Sequence, residues 1–447
     1  MPELLDLATR IVGWARDGEA VEVFVAHTRD TDVIAYDGDV ESLSSAESSG
    51  VGIRVVAGGR QGFAYAGTFD DDVVRETLDE ARDNAEFATP DEFVGLAEPD
   101  GVVPAQLDVW RDDLAGLPAA RKVELALELE RLVKAGDPRI RSLRSASWGD
   151  GALEAALASS TGIAVTWRRT GAHLSAQAVA GEGDETQTGY GYSVGRGPAE
   201  VDVEEAAADT VARTVRLLGA RKPPSAHLPV VLDRRVTTSF LSVLAATLSG
   251  EAVLKGRSLF ADRLGETMAA AAVTLVDDPT VPDAYSASPF DAEGLASRRN
   301  VLIEGGVLRG FVYNTYAGRR AGVPSTASAV RAGFKSTPGV GCRALSLAPG
   351  TRSPEAIYAE VGDGLLVTGV SGLHSGVNPV SGDFSVGAEG LLIRDGRPVE
   401  PVREITIAST LQRMLQEIVA VGDDLEWLPS MAAGTTLAIG GMSMSGA

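Results

Sequence analysis

One cysteine, Cys342, and four histidines (His27, His173, His227, His374) are all that 447 residues supply of the softer metal ligands. A lone cysteine excludes an intramolecular disulfide framework and a Cys-rich zinc module. The histidines are so widely spread that no two can sit at i, i+4 on one helix, as a zincin site requires. Positive charge is also short: 40 Lys+Arg stand against 62 Asp+Glu, a net charge of −22. Such a surface repels phosphate backbones and anionic lipids, so neither a nucleic-acid nor a membrane partner is expected. Long apolar runs are missing, and the strongest, Phe240 to Leu248, falls far short of a membrane span. The start, Met1-Pro2-Glu3-Leu4, has no basic region before an apolar core; no secretory signal is read there, and the expected compartment is cytoplasmic. No Gly-x-x-x-x-Gly-Lys occurs, and the Gly50-Val51-Gly52 stretch lacks the third glycine of a dinucleotide fingerprint.

What is present is glycine, 51 residues of it, beside only 5% aromatics and an ordinary hydrophobic fraction of 44%. This composition predicts a folded chain of many turns and short strands. Apolar spacing predicts a helix over 3–16, strands over 21–27 and 32–42 with a tight turn at Asp37-Gly38, and a hairpin over 50–67 around Gly58-Gly59. A helix capped by Thr68 or Asp70 runs to about Phe87, and the Pro/Asp/Gly-rich 88–117 reads as a linker. Helices over 118–135 and 199–219 flank strand-like runs through 140–196, and a Pro-rich boundary follows at 218–229. Beyond it come a buried-type strand at 228–233, an apolar helix at 235–248, many short strands and a helix near 407–419. The expected fold class is α+β. An N-terminal α/β unit (1–100) and a middle α/β unit (112–222) precede a β-rich C-terminal domain (226–447) of mostly antiparallel strands.

Two segments carry candidate chemistry. Residues 369–390 are dense in Gly and Ser and hold His374, Ser375, Asn378 and Asp383. They admit three readings: a Ser-His-Asp arrangement, a wide turn in which Ser and Asp bond the backbone, or a docking surface. Residues 288–322 hold Asp291 and Glu293, expected side by side on one strand, with Arg298, Arg299, Arg319 and Arg320 as candidate neutralising cations. There a structural charge network stands against a substrate site. A hairpin is expected at Gly305-Gly306, and Cys342 reads as a small buried or half-buried thiol.

Three ordered strings carry a resemblance: SGVGIRVVAGGRQGFAYAG (49–67), SPFDAEGLASRRNVLIEGGVLRGFVYNTYAGRRAG (288–322) and the long run from Gly376 to Asp424. Through them nearly the whole chain resembles the TldD/PmbA (TldD/TldE) family. In that family TldD subunits look like zinc metallopeptidases, with His-Glu-x-x-x-His on the helix after the first strand of the C-terminal domain and a later cysteine as third ligand. The corresponding helix here reads RRVTTSFLSVLAATLSG (234–250), and the C-terminal MAAGTTLAIGG (431–441) has no cysteine. The chain is thus similar to the TldE (PmbA) branch. The resemblance implies no catalytic and no metal-ligating residue on this chain, zinc on a TldD-like partner, and a heterodimer that cleaves extended, unfolded peptides or peptide precursors. It also implies a large pairing surface, of the obligate class above roughly 2,000 Å². Candidate peptide-contact or interface residues are Arg319, Arg320, His374, Asn378, Ser381, Gly382, Asp383 and Ser385. The alternatives are a stand-alone homodimeric interaction protein and a metal-independent hydrolase using 369–390.

Overall fold

Asp37 and Gly38 both take positive φ (53° and 82°), as do Gly58 and Gly59 (56° and 71°). Two-residue turns of this hand match the twist of the strands they join. They link β1 (Glu19–Tyr36), β2 (Asp39–Ala57) and β3 (Arg60–Ala66) into a meander. The computed structural model describes residues 2–183 and 185–446. Met1 and Ala447, the outer limits of the expected first and third units, and Asp184 lie outside the described residues. The sequence expectation of separate strands at 21–27 and 32–42 is corrected: β1 is continuous across the polar run Thr28–Asp32. That run stays extended because it is paired on both sides, Asp30 facing Ala46 of β2 and Gly151 of the next strand.

Helix α1 (Pro2–Val12) buries Leu7, Ala8 and Ile11, and α2 (Asp71–Phe87) is capped by Asp70, whose carboxylate accepts from the Asp72 and Val73 amides. Then follow α3 (Asp112–Ala115), α4 (Ala119–Gly136), β4 (Ile140–Ser159), β5 (Ala164–Glu182), β6 (Glu185–Gly195) and α5 (Val203–Val215). The strands form one antiparallel sheet, β3-β2-β1-β4-β5-β6, to which residues 19–66 and 140–195 contribute three strands each. One face packs on helices: Val21, Val23 and Val25 against Ile11 and Leu78, and Trp148 and Leu174 against Leu129 and Val133. The 88–111 segment is a strap. Asp91 N bonds Gly59 O, and Thr170 N on β5 bonds Val109 O.

The C-terminal half opens with β7 (Ala226–Leu232), α6 (Arg234–Thr247) and α7 (Gly250–Leu254), with α8 (Thr315–Ala321) further on. Strand 397–410 pairs with 383–394, that with 364–371, that with β7, β7 with 437–445, and 437–445 again with 397–410. The strands close into a ring. Only the contact between β7 and 364–371 is parallel, so the α+β fold with mostly antiparallel strands is as expected. Phe240, Leu241 and Leu244 of α6 fill its core together with Leu232, Ile407 and Met444.

Candidate binding cleft

Side chains alternate across a strand, so the residues between those facing the helices share the opposite face of the sheet. Register sets them in rows: Thr28, Leu153 and Arg169; Asp30, Gly151 and Gly171; Asp32, Gly149 and His173. C-terminal segments around 285–292, 329–336 and 342–343 lie over this face and enclose a cavity of about 1050 Å³. Apolar contacts seal one end, where Phe24, Ala26 and Leu157 meet Leu295, Ala327 and Phe334. An aromatic chain continues the wall, Phe24 to Trp167 at 5.8 Å and Trp167 to Phe290 at 6.3 Å between centroids. Glycine is required on the floor. A Cβ at Gly149 would lie 2.2 Å from His173 Cε1, and one at Gly171 2.6 Å from the Tyr285 hydroxyl.

Charge is unevenly spread in this space. Burial and the neighbouring Asp32 and Asp150 push the Asp30 carboxyl up, while burial holds the His173 imidazole down against the pull of the same two aspartates. Arg169, on the same sheet face one row from Gly171, and Arg196 and Arg343 also line this space. Behind them a buried network crosses the junction of the two halves. Glu22 accepts from Arg54 Nη2 at 2.5 Å and from Arg331 Nη2 at 2.6 Å, and Arg54 lies 3.7 Å from Glu293. Glu293 also accepts from the Thr315 amide and hydroxyl, at 2.8 and 2.7 Å. Asp291 accepts from the Glu293, Leu295 and Ala329 amides. Burial and the adjacent Glu293 nevertheless push its pKa up to about 7.

Here the sequence expectation is corrected twice. Asp291 and Glu293 lie in a turn, not on a strand, and the cations that answer them are Arg54, Arg331 and Arg343. Arg298 instead pairs with Asp100 of the strap. Arg319 donates to Leu96 O at 2.9 Å, and Arg320 lies exposed near Asp91 and Tyr316. A third correction concerns 369–390, which is not an open loop. Residues 369–371 and 383–390 are paired strands, and only 372–382 connects them. Within that connection Asn378 Oδ1 accepts from the Val380 and Ser381 amides, and the Ser381 hydroxyl donates to Asp383 at 2.7 Å. Gly382 has φ 84°, and a Cβ there would meet the Gln412 side chain. His374 and Ser385 are exposed. Among the described residues no hydrogen bond joins His374, Ser375 and Asp383, and Ser375 Oγ bonds Gly372 O, so the nucleophilic arrangement is not assembled. None of the eight candidate residues lines the cavity. Sequence reading missed Asp30, Asp32, Arg169, His173, Arg196 and Tyr285. The only local signal was the polar run Thr28–Asp32 inside an otherwise apolar strand segment.

Helix α6, where the resemblance places zinc ligands in TldD subunits, presents a different chemistry. The hydroxyls of Thr238, Ser239 and Ser242 donate to carbonyls one turn back, that of Thr247 donates to Leu244 O, and the remaining inward positions are apolar or Thr237. Cys342 has its Sγ 4.0 Å from Ala245 O, and burial pushes its thiol well up, so it keeps its proton. Neutral hydroxyls with a single thiol do not fit zinc, which takes a set of thiolate, imidazole or carboxylate ligands. Among the described residues no three His, Cys, Asp or Glu side chains gather for a metal, and no helix is long and apolar enough to cross a membrane.

The chain matches three family descriptions in order: PmbA/TldA metallopeptidase domain 1 over residues 21–85, the central domain over 112–218 and the C-terminal domain over 225–446. It is 27% identical over 438 residues to the metalloprotease PmbA of Escherichia coli O157:H7, covering 98% of this chain and 94% of that one. A metalloprotease of Methanothermobacter thermautotrophicus is also 27% identical, over 94% of this chain and 90% of its own length. Among solved structures, a putative modulator of DNA gyrase from Bacteroides thetaiotaomicron superposes with a TM-score of 0.89 at 27% identity over 100% of both chains. TldE from Thermococcus kodakarensis has the same fold, with a TM-score of 0.88 at 24% identity over 100% of both chains.

Proposed function

Because the chain belongs to the PmbA/TldD metallopeptidase family, we propose that it is the non-metal-binding subunit of a two-component peptidase. Its partner is a TldD-like chain that carries the zinc, and its substrates are extended, unfolded peptides or peptide precursors in the cytoplasm. The observation that carries this reading is α6. It keeps the place and packing of a ligand helix, but its inward polar atoms are hydroxyls, committed to its own backbone except that of Thr237, which is buried without a partner among the described residues. This chain then contributes binding surface, and bond cleavage belongs to the partner. The acidic exterior and the enclosed cleft suit a chain that holds peptides rather than nucleic acid.

The test is affinity purification of the tagged chain from its native host, with masses of the retained proteins and elemental analysis. A TldD-like chain in equal amount, zinc only in the complex and peptide cleavage only by the complex are expected. About one tightly held zinc per isolated chain, or cleavage by the isolated chain, overturns the reading. So does recovery of a homodimer alone.

A further inference from the structure

Three guanidinium groups converge on the cleft, and none has a carboxylate at ion-pair distance among the described residues. Arg196 donates to the carbonyls of Ala284 (2.6 Å) and Thr170 (3.4 Å) and lies 5.5 Å over the Tyr285 ring. Arg343 donates to Phe290 O and Ser297 Oγ, both at 2.9 Å. These acceptors are neutral; beyond ion-pair distance, Asp291 and Asp277 partly offset the charge of Arg343 and Glu200 that of Arg196. Arg169 makes no hydrogen bond or ion pair at all among the described residues. It stands on the cleft face of β5, one row from Gly171, and cavity solvent reaches it.

Like charges held together between low-dielectric walls raise a local positive potential. Arginine cannot relieve that by losing a proton. In a chain with 62 acidic residues, that no carboxylate answers Arg169 among the described residues is a local feature of this cleft and not a shortage of carboxylates. We propose that Arg169, flanked by Arg196 and Arg343, forms an anion subsite that receives a peptide's terminal carboxylate. The planar fork of a free guanidinium matches a carboxylate with two parallel hydrogen bonds. The rest of the cleft favours a peptide over a small polyanion. Glycines 149, 151 and 171 leave a shallow floor, Trp167 and Phe290 give an apolar wall, and about 1050 Å³ is far more than one small ion fills. Asp30 and Asp32, on the adjoining rows, repel further negative charge and suit an amino terminus or a basic side chain. The inference takes its choice of ligand from the peptide-handling reading above. The subsite itself uses only this chain.

Calorimetry on the isolated chain at low salt tests it, with tetra-alanine bearing a free carboxylate, the same peptide amidated, and acetate. The free acid should bind at least tenfold more tightly than the amide. Arg169→Gln should erase that difference, and Arg169→Lys should retain part of it. Because Arg169 holds no partner, both variants should melt with the wild type. Equal binding of acid and amide, survival of the preference in Arg169→Gln, or no binding of either peptide at millimolar concentration overturns the subsite. Acetate displacing the peptide at equal concentration assigns the arginines to small carboxylates and overturns the peptide part. No partner enters these measurements, so their failure is separate from a failure of the two-component reading.

Discussion

The two halves of the molecule satisfy their buried backbone by different means. In the six-stranded sheet the ladder does it, and the covered face needs few charges, chiefly Lys122 with Asp150 at 2.7 Å. Around the C-terminal ring, long irregular stretches carry amides that no strand answers, and buried carboxylates take that role. Asp277 accepts from the Arg343 and Ala344 amides, Asp291 from three amides, and Asp424 from the Thr436 amide and from the hydroxyls of Thr435 and Thr436. A regular element can therefore be apolar inside, whereas an irregular one must import polar groups to stay dry. Glu22 and Arg54 carry the second style into the sheet, at the place where the two halves meet.

Breaking that junction should have the largest effect. Glu22→Ala leaves Arg331 without its ion-pair partner and Arg54 with only the more distant Glu293, and should cost about 3–5 kcal/mol in chemical denaturation. The guanidinium partners of Glu22 outweigh its burial and hold its pKa below the ordinary value, so its stabilisation is present above the unfolded pKa and lost as pH falls through the folded one.

Asp277→Ala should come next, at about 1–3 kcal/mol for two stranded amides. Asp277→Asn should sit close to wild type, because burial already disfavours the charge and an amide oxygen still accepts. Equal losses in the two variants would deny that the carboxylate serves mainly as an acceptor.

Asp291 sharpens the contrast through pH. Its folded pKa of about 7 exceeds its ordinary 3.8, so the folded state binds more protons between those values. Stability should therefore fall as pH rises across that window and level off above it, the opposite slope to Glu22. Asp291→Asn should flatten that part of the profile in pH-dependent melting. The smallest changes belong to the exposed residues. Asp383→Ala and Arg320→Ala should each shift stability by no more than about 0.5 kcal/mol. With a TldD-like partner present, unchanged peptide cleavage in both would remove them from the peptide-contact set.

Local chemistry made much of the fold legible. Asp37-Gly38, Gly58-Gly59 and the Gly305-Gly306 hairpin turn where their residues require, and Asp70 caps α2. The resemblance of whole strings identified the family. The cleft was not legible, because it arises only when strands from residues 19–36 and 140–182 lie beside loops from the other half. The Glu22–Arg331 pair, separated by 309 positions, leaves no local trace. The glycine-rich 369–390 was read as a loop for a physical reason: a Cβ at Gly390 would come within 1.9 Å of Leu366 O, and one at Gly376 within 2.1 Å of Ser385 O. Those glycines serve close backbone approach inside and beside a strand pair, and composition alone does not separate that use from a flexible turn.

The closed ring also sets an order of events during synthesis. β7 is made early in its domain, yet one of its two neighbours is the strand at 437–445, which also bonds 397–410. Its other neighbour, 364–371, is also late, and a ribosome adding about 5–20 residues each second leaves β7 without its full pairing for roughly ten seconds or more. Meanwhile the six-stranded sheet has every strand it needs once residue 195 is out. The nascent chain is thus a finished platform carrying an open sheet edge, and chaperones should be found bound to it in that interval.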